Sequence, residues 1–188
     1  MRLEPKSVAY LLGRNGSTKS RLAMFTRARL EIDPREGTVE IIGNEAQRKL
    51  SRLCIEITLQ QRNNGRITSD LDAIERRDDV TIYDVPGDAV AFLLGAKGAA
   101  LRGMETKHCT FMFFDNDSTR NGKKRLYILG DSTARKDALR ECEQAVHYKL
   151  SGNRSLASWR ERDGGMRMTR SRRLVFLSAI LFFHFSFI

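Results

Sequence analysis

The chain repeats a nine-residue segment, and this repetition limits the folds open to it more than any other feature does. The segment begins at Val8 as VAYLLGRNG and returns 82 residues later, at Val90, as VAFLLGAKG. Six of the nine positions are identical, and the pair Tyr10/Phe92 is conservative. Internal similarity at a fixed offset indicates two copies of one small structural unit. A length of 188 residues has room for two such units.

Both copies continue with the same order of elements. The second glycine of the segment is followed by a short helical stretch, at 17–25 in copy one and 99–107 in copy two. Alternating apolar residues then predict two strands joined by a polar turn, and an amphipathic helix closes each copy. The predicted strands are 28–32 and 38–42 in copy one, and 110–114 and 125–129 in copy two.

Copy two has one more strand, placed before its repeated segment. Val80–Pro86 alternates in the same way and is stopped by its proline. Copy one has only Met1–Lys6 at this place, where Leu3-Glu4-Pro5 can be matched to Val85-Pro86 with a one-residue deletion. Most of a first strand is therefore expected to be missing. A chain start lost upstream would explain this, and so would a sheet edge completed by a partner.

In this order of elements, and in the apolar helix that runs into Gly-x-x-Gly, the units resemble the K-homology (KH) family of eukaryotic type. The resemblance implies an α+β fold of two tandem KH type I modules, of which the first lacks most of its first strand. Each module would be β-α-α-β-β-α, with a three-stranded antiparallel sheet and helices on one face. The expected divisions are a first KH-like domain at 1–62, a linker at 63–77, a second KH domain at 78–152, a disordered arginine-rich segment at 153–173 and a hydrophobic tail at 174–188.

A Gly-x-x-Gly loop suits a phosphate for physical reasons. Two glycines let the backbone turn tightly and approach a ligand closely. The helix that follows presents free N–H groups and a partial positive charge. The resemblance implies that each loop clamps the backbone of about four nucleotides of single-stranded RNA, with Arg14 and Lys97 as phosphate partners. The residues carried over are Gly13, Arg14, Asn15, Gly16, Lys19 and Arg21 in copy one, and Gly95, Ala96, Lys97, Gly98 and Arg102 in copy two.

The copies differ on the sheet face that the helices leave open. Copy one carries Arg29 and Glu31 on this face, whereas copy two carries aromatic and apolar side chains. Apolar patches of this kind usually mark an interface. We predict that this face of copy two docks a partner, which is either copy one or a second copy of the chain. The predicted interface residues are Phe111, Phe113, Tyr127 and Leu129.

The net charge of +10 is unevenly distributed along the chain. It is +5 over residues 1–77, zero over 78–152 and +5 over 153–188. A basic surface favours a polyanionic partner. Together with this charge, the resemblance to the KH family implies binding of single-stranded RNA, in post-transcriptional regulation. Single-stranded DNA is the lesser alternative, because no feature reads the 2′-hydroxyl. The alternative of another class is a degenerate KH pair that acts as a protein-interaction scaffold.

No pattern in the sequence indicates catalysis, a cofactor or a metal site. The loop at Gly13 lacks the Gly-Lys-[Ser/Thr] ending of a P-loop. Cys54, Cys109 and Cys142 are far apart and form no cluster with the histidines. We therefore expect a chain that is not an enzyme, with ordinary thiols in a reducing compartment, in the cytoplasm or the nucleus.

The apolar tail raises the question of a membrane. Residues 174–188 are 15 in number, fewer than the roughly 20 that a membrane-spanning helix needs. A short anchor, an interfacial segment and a mispredicted reading frame are the alternatives. We expect no membrane role, because the segment is short and the rest of the chain has the character of a soluble protein.

Overall fold

The computed structural model describes residues 1–63 and 67–151, and Met1–Ser151 forms one compact unit. This described part contains seven α-helices and two small antiparallel sheets. The architecture is α+β and is compatible with the KH-like fold that the sequence predicts. The segments predicted at 153–173 and 174–188 lie outside the described residues.

The first repeat follows the predicted order of elements. Its last helix begins with a reciprocal cap, in which the Asn44 side chain accepts from the Gln47 N–H and the Gln47 side chain accepts from the Asn44 N–H, both at 2.9 Å. Such a capping box satisfies two backbone donors that the helix leaves free. The elements are α1 (Pro5–Leu12), a 3-10 turn (Arg14–Gly16), α2 (Ser17–Thr26), β1 (Arg29–Asp33), β2 (Thr38–Ile42) and α3 (Glu45–Asn63).

The second repeat has the same order with a complete first strand. The Asp131 side chain caps its last helix by accepting from the Thr133 N–H at 3.0 Å. After a short helix α4 (Leu71–Glu75), the elements are β3 (Val80–Pro86), α5 (Gly87–Leu94), a 3-10 turn (Ala96–Gly98), α6 (Ala99–His108), β4 (Phe111–Arg120), β5 (Lys123–Leu129) and α7 (Ser132–Leu150). The three strands pair antiparallel in the order β3-β5-β4.

A remnant of the first strand lies beside β2 in the first repeat. The Leu3 N–H donates to the Gly37 carbonyl and the Val39 N–H donates to the Met1 carbonyl, both at 2.8 Å. Arg2 pairs with Thr38 in a single antiparallel bridge. Because α1 begins at Pro5 and α5 begins 82 residues later at Gly87, the two repeats match here without a gap. The one-residue deletion that the sequence suggested is therefore wrong.

The segment 63–77, expected as a polar linker, packs against the unit where it is described. It contains α4, which begins with the Asp70 side chain accepting from the Ala73 N–H at 3.0 Å. Ile67 and Ile74 are buried, with 7% and 3% of their surface exposed. The two isoleucines are too far apart in the sequence to suggest a core segment, and they become buried only because the sheet of the second repeat lies beside them.

One buried apolar cluster contains residues of both repeats. Leu22, Phe25 and Leu30 contribute from the first repeat, and Phe111 and Phe113 from the second. The rings of Phe25 and Phe111 contact each other, with centroids 6.3 Å apart. Full burial of a side chain of this size contributes about 1.5–3 kcal/mol. The repeats are thus held together by the same force that holds each repeat together.

Candidate nucleic-acid interface

The two Gly-x-x-Gly loops have nearly the same backbone. Their first glycines, Gly13 and Gly95, have φ/ψ of 67°/176° and 66°/−175°. The third residues, Asn15 and Lys97, are left-handed at φ 53° and 51°. The second glycines also agree, since both have φ 75°. Two loops with different central residues therefore adopt one conformation, set by the glycines and the helices around them.

The first glycine of each loop lies too close to the following helix to carry a side chain. A Cβ on Gly13 would lie 2.4 Å from Thr18 Oγ1 and 2.8 Å from the Thr18 nitrogen. A Cβ on Gly95 would lie 2.7 Å from the Cβ of Ala100. The chain thus folds back onto the first turn of α2 or α6, and only glycine permits this approach.

The helices that follow the loops start without a side-chain cap. The Gly16 N–H donates to the Gly13 carbonyl at 3.3 Å, and the Gly98 N–H donates to the Gly95 carbonyl at 3.2 Å. No side chain accepts a hydrogen bond at the N-cap position of α2 or α6. The Ser17 N–H donates to the Arg14 carbonyl, and the Ala99 N–H donates to the Ala96 carbonyl. The start of a helix carries a positive potential, and anions often bind there in proteins.

The loops carry their cations at different positions. Arg14 is exposed at the second position of loop one, and Lys97 is exposed at the third position of loop two. Ala96 leaves the second position of loop two uncharged. Lys19 is half-buried in the first turn of α2. The Arg102 guanidinium donates to the Lys97 carbonyl, so this cation is fixed beside loop two.

Arg21, which the sequence placed with the loop cations, points to the second repeat. Its Nη1 lies 3.8 Å from Oε2 of Glu105. Only 27% of the Arg21 side chain and 5% of the Glu105 side chain are exposed. The structure thus brings the other predicted residues together at the two loops and places Arg21 at the contact between the repeats.

Glu105 was not identified from the sequence. Its Oε1 accepts the Met112 N–H at 2.8 Å. Burial raises its pKa to about 7, against the opposing effects of the Met112 N–H, Arg21 and Arg102. The available signal was its position four residues after buried Leu101 on α6, which places an acidic residue on the apolar face of a short helix.

Replacing Glu105 with glutamine should flatten the pH dependence of stability. Because folding raises the pKa of this carboxyl, its protonated form is favoured in the folded state. The associated stability is fully present below about pH 4.5 and is lost as the pH rises to about 7. Melting temperatures of the parent and E105Q at pH 5 and pH 8 measure this. The parent should lose more stability than the variant between these values, and equal losses would contradict the assignment.

The four apolar residues predicted as an interface are buried inside the unit. Phe111, Phe113, Tyr127 and Leu129 have between 0% and 3% of their surface exposed. Phe111 is paired with Leu129, and Phe113 with Tyr127, so all four share one sheet face. The Phe113 and Tyr127 rings stack at 4.8 Å and 5°. Residues of the first repeat, Phe25 among them, lie against this face.

Helix α4 packs against the polar edge of that sheet face. Oε1 of Glu75 accepts from the Tyr127 hydroxyl at 2.8 Å and also from the Arg125 guanidinium. Burial is the main reason that the pKa of Tyr127 is raised to about 12. The tyrosine therefore keeps its proton and its hydrogen bond to α4 over the whole neutral range.

No group of three or more histidine, cysteine, aspartate or glutamate side chains in residues 1–63 and 67–151 could hold a metal ion. In the same ranges, no helix combines the length and the apolar character needed to cross a membrane.

The comparisons with known proteins give only distant structural likenesses. No protein-family model and no curated protein matches the sequence. A chain in the a/eIF2alpha–aDim2p–rRNA complex from Pyrococcus horikoshii OT3 is 18% identical, with a TM-score of 0.34, and the match covers 86% of this chain and 89% of that one. Dim2p from the same organism is also 18% identical, with a TM-score of 0.30 and coverage of 81% and 97%. A protein of unknown function from Aeropyrum pernix is 15% identical, with a TM-score of 0.30 and coverage of 95% and 96%. Likenesses at this level establish neither a family nor a function for this chain.

Proposed function

We propose that the chain binds single-stranded RNA by clamping phosphates at its two Gly-x-x-Gly loops. The observation that carries the proposal is the shared geometry of the two loops. Each loop directly precedes a helix that begins without a side-chain cap. Gly16 and Gly98, which directly precede α2 and α6, carry no Cβ that would keep a phosphate away from the helix starts. The β-α-α-β-β-α order and the β3-β5-β4 sheet of the second repeat favour a type I KH module, and we assign the first repeat as an abbreviated copy of it.

The charges support the same function. Arg14, Lys19, Lys97 and Arg102 lie at or just after the loops, where each adds attraction to a phosphate. Loop one lies in the more basic half of the chain, so we expect it to contribute more of the electrostatic affinity. An unpaired strand held by its phosphates keeps its base edges accessible. We therefore propose a cellular role in post-transcriptional RNA regulation, in the cytoplasm or the nucleus and without catalysis.

The scaffold alternative loses its main support in the structure. It relied on an apolar sheet face of the second repeat open to another protein, and this face is buried inside the unit. Single-stranded DNA remains the closer competitor, because phosphate contacts at a glycine loop do not distinguish the two backbones.

Titration of the full chain against a labelled single-stranded RNA of about 15 nucleotides tests the proposal. With about four phosphate contacts, the logarithm of affinity should fall with the logarithm of salt concentration with a slope of about −3. The controls are the same sequence as a duplex, which should bind more weakly, and as single-stranded DNA. Absence of binding at low salt, or a preference for the duplex, would contradict the proposal.

A further inference from the structure

The second repeat shows how a complete first strand is held at the edge of its sheet. Residues 80–82, at the start of β3, pair antiparallel with residues 127–129 of β5. The strand also contacts α7, where the Arg135 guanidinium donates to the Thr81 hydroxyl at 3.0 Å and to the Asp78 carbonyl at 2.7 Å. Backbone pairing and one arginine of the last helix therefore fix this strand.

The first repeat has an open edge at the corresponding place. Arg2 pairs with Thr38, as Asp84 pairs with Arg125 in the second repeat. Residues 40–42 of β2 therefore match the residues of β5 that pair with the start of β3. In the part of the chain that the structure describes, β1 is the only strand that pairs with residues 40–42. Their other side is open where the second repeat has three strand residues.

The backbone of Ile41 faces this open edge. The Met1 amino group donates to the Val39 carbonyl at 2.6 Å, and the Val39 N–H donates to the Met1 carbonyl at 2.8 Å. Alternate residues of an antiparallel strand direct their backbone groups to the same side. The N–H and the carbonyl of Ile41 therefore point the same way as those of Val39, and they are the groups that an added strand would bind.

A groove of about 800 Å³ lies along the open edge, between β2 and α3. Ile41 and Leu53 supply apolar surface to it, and Arg48 and Arg52 line it from α3. Its volume is within the ~300–1,000 Å³ of sites that take small ligands. Since an extended chain rises about 3.3 Å per residue, a segment of a few residues fits along it.

The groove has one more cation than the corresponding part of the second repeat. Arg48 is the fourth residue of α3, as Arg135 is of α7. Arg52 is the eighth residue of α3, where α7 has Leu139. The Arg48 guanidinium donates to the Gly43 carbonyl, and neither arginine of the groove forms an ion pair with a carboxylate of the described residues.

The remaining charges of the groove do not neutralise these two arginines. They are carried by Glu40, Glu45, Lys49, Glu56 and Arg77. Lys49 is paired with Glu45 at 2.7 Å, and Arg77 is paired with Asp79 at 2.6 Å. Charge complementarity in the groove therefore favours a ligand that brings a carboxylate to Arg48 and Arg52.

We propose that an extended peptide segment of another protein binds this edge as an added strand, with an acidic side chain opposite Ile41. In the second repeat the residue at that position is Thr81, which accepts from Arg135. A carboxylate there reaches Arg48 and meets Arg52 as well. None of the Gly-x-x-Gly loop residues lines the groove, so the site is additional to the proposed RNA site.

The strand pairing also specifies the neighbours of the acidic residue. An antiparallel segment passes Ile42, then Ile41, then Glu40. Glu40 lies opposite Glu31 on the other face of the sheet from Ile41, so the last position favours a basic side chain and the first an apolar one. A second copy of β2 fits less well, because its Ile41 would pair with this Ile41 and would supply no carboxylate.

The test titrates the full chain with a peptide of about ten residues that has Val-Asp-Lys at its centre and glycine and serine around it. The peptide should slow hydrogen exchange of the Ile41 amide, followed by NMR, by at least about fivefold at saturation. Replacing the aspartate with asparagine should weaken binding by at least about fivefold. A peptide methylated on the aspartate backbone nitrogen should not bind, because it cannot pair with Ile41. Equal binding of the methylated peptide, or no slowing at several millimolar peptide, would overturn the added strand.

The variant R48A/R52A should weaken binding of the aspartate peptide by at least about fivefold, with little effect on the asparagine peptide. K136A/R140A removes two cations from exposed positions of α7 and is the control for general charge, so an equal loss there would overturn the roles of Arg48 and Arg52. R14D/N15D should leave peptide affinity unchanged.

Two other occupants of the groove give different results. Slowed exchange of the Ile41 amide that needs no peptide and grows with protein concentration would identify a second copy of the chain. A loss of RNA affinity in R48A/R52A as large as that in R14D/N15D, without slowing by any peptide, would identify RNA. Either result would overturn the peptide site, and neither would contradict phosphate binding at the loops.

Discussion

Replacing Arg14 and Asn15 together with aspartate should weaken binding of single-stranded RNA by at least about tenfold. The R14D/N15D change removes a cation from loop one and places two carboxylates where a phosphate would lie. Both positions are exposed, and the left-handed backbone at residue 15 tolerates aspartate as well as asparagine. The fold should therefore persist, and the equilibrium affinity measured at fixed salt reports the change.

The matched substitution A96D/K97D alters loop two by the same charge. It should cost somewhat less than R14D/N15D, because loop one lies in the more basic half of the chain. K136E/Q144E, on exposed positions of α7, changes the net charge equally without touching a loop, and serves as the control for long-range electrostatics. If this control weakened binding as much as the loop variants, general charge and not the loops would account for affinity.

Replacing Phe111 with serine should lower the free energy of unfolding by about 3–5 kcal/mol, the cost of truncating a buried phenylalanine. Phe111 is 3% exposed and contacts Phe25 across the repeats. Its loss leaves a cavity between them and buries a hydroxyl group. A change of this size is a large part of the total stability of a small domain, so the double variant F111S/F113S should be largely unfolded. Urea denaturation followed by circular dichroism measures both.

Phe111→Leu is the milder variant that keeps this prediction measurable, and it should destabilise by about 1–2 kcal/mol. Ile42→Ser is the control, because Ile42 is 42% exposed on a strand of the first repeat and its change should cost less than about 1 kcal/mol. The parent should also unfold in one transition that includes both repeats. A cost for F111S as small as that for I42S would contradict the shared core.

The elements of each repeat were predictable because their signals are local. The pattern VAYLLGRNG places an apolar helix face before two glycines, and the alternation at 38–42 and 80–86 coincides with β2 and β3. Boundaries were less accurate where a partner strand decides them. β4 continues to Arg120, six residues beyond the predicted end, because it pairs again with β5 after an irregularity between Phe114 and Thr119.

The apolar sheet face of the second repeat shows what the alternation of apolar residues can predict and what it cannot. Alternation placed Phe111 and Phe113 on the face opposite the helices, since side chains in a strand point to alternate sides. It left open whether the first repeat or a second chain covers them. That depends on contacts between residues as far apart as Phe25 and Phe111, and no pattern within a single element contains them.

The sequence by itself determined two glycine loops, the helices that follow them and the apolar sheet face of the second repeat, because each depends on residues close together in the chain. Only the tertiary structure decided what Arg21 and Glu105 do. A cation near a glycine loop suggests a phosphate contact, but the packing of the repeats turns Arg21 toward a buried carboxylate 84 residues away. The physical reason is that a long flexible cation lies beside whichever acidic group the fold brings within reach, and only the packing of the two repeats brings Glu105 there.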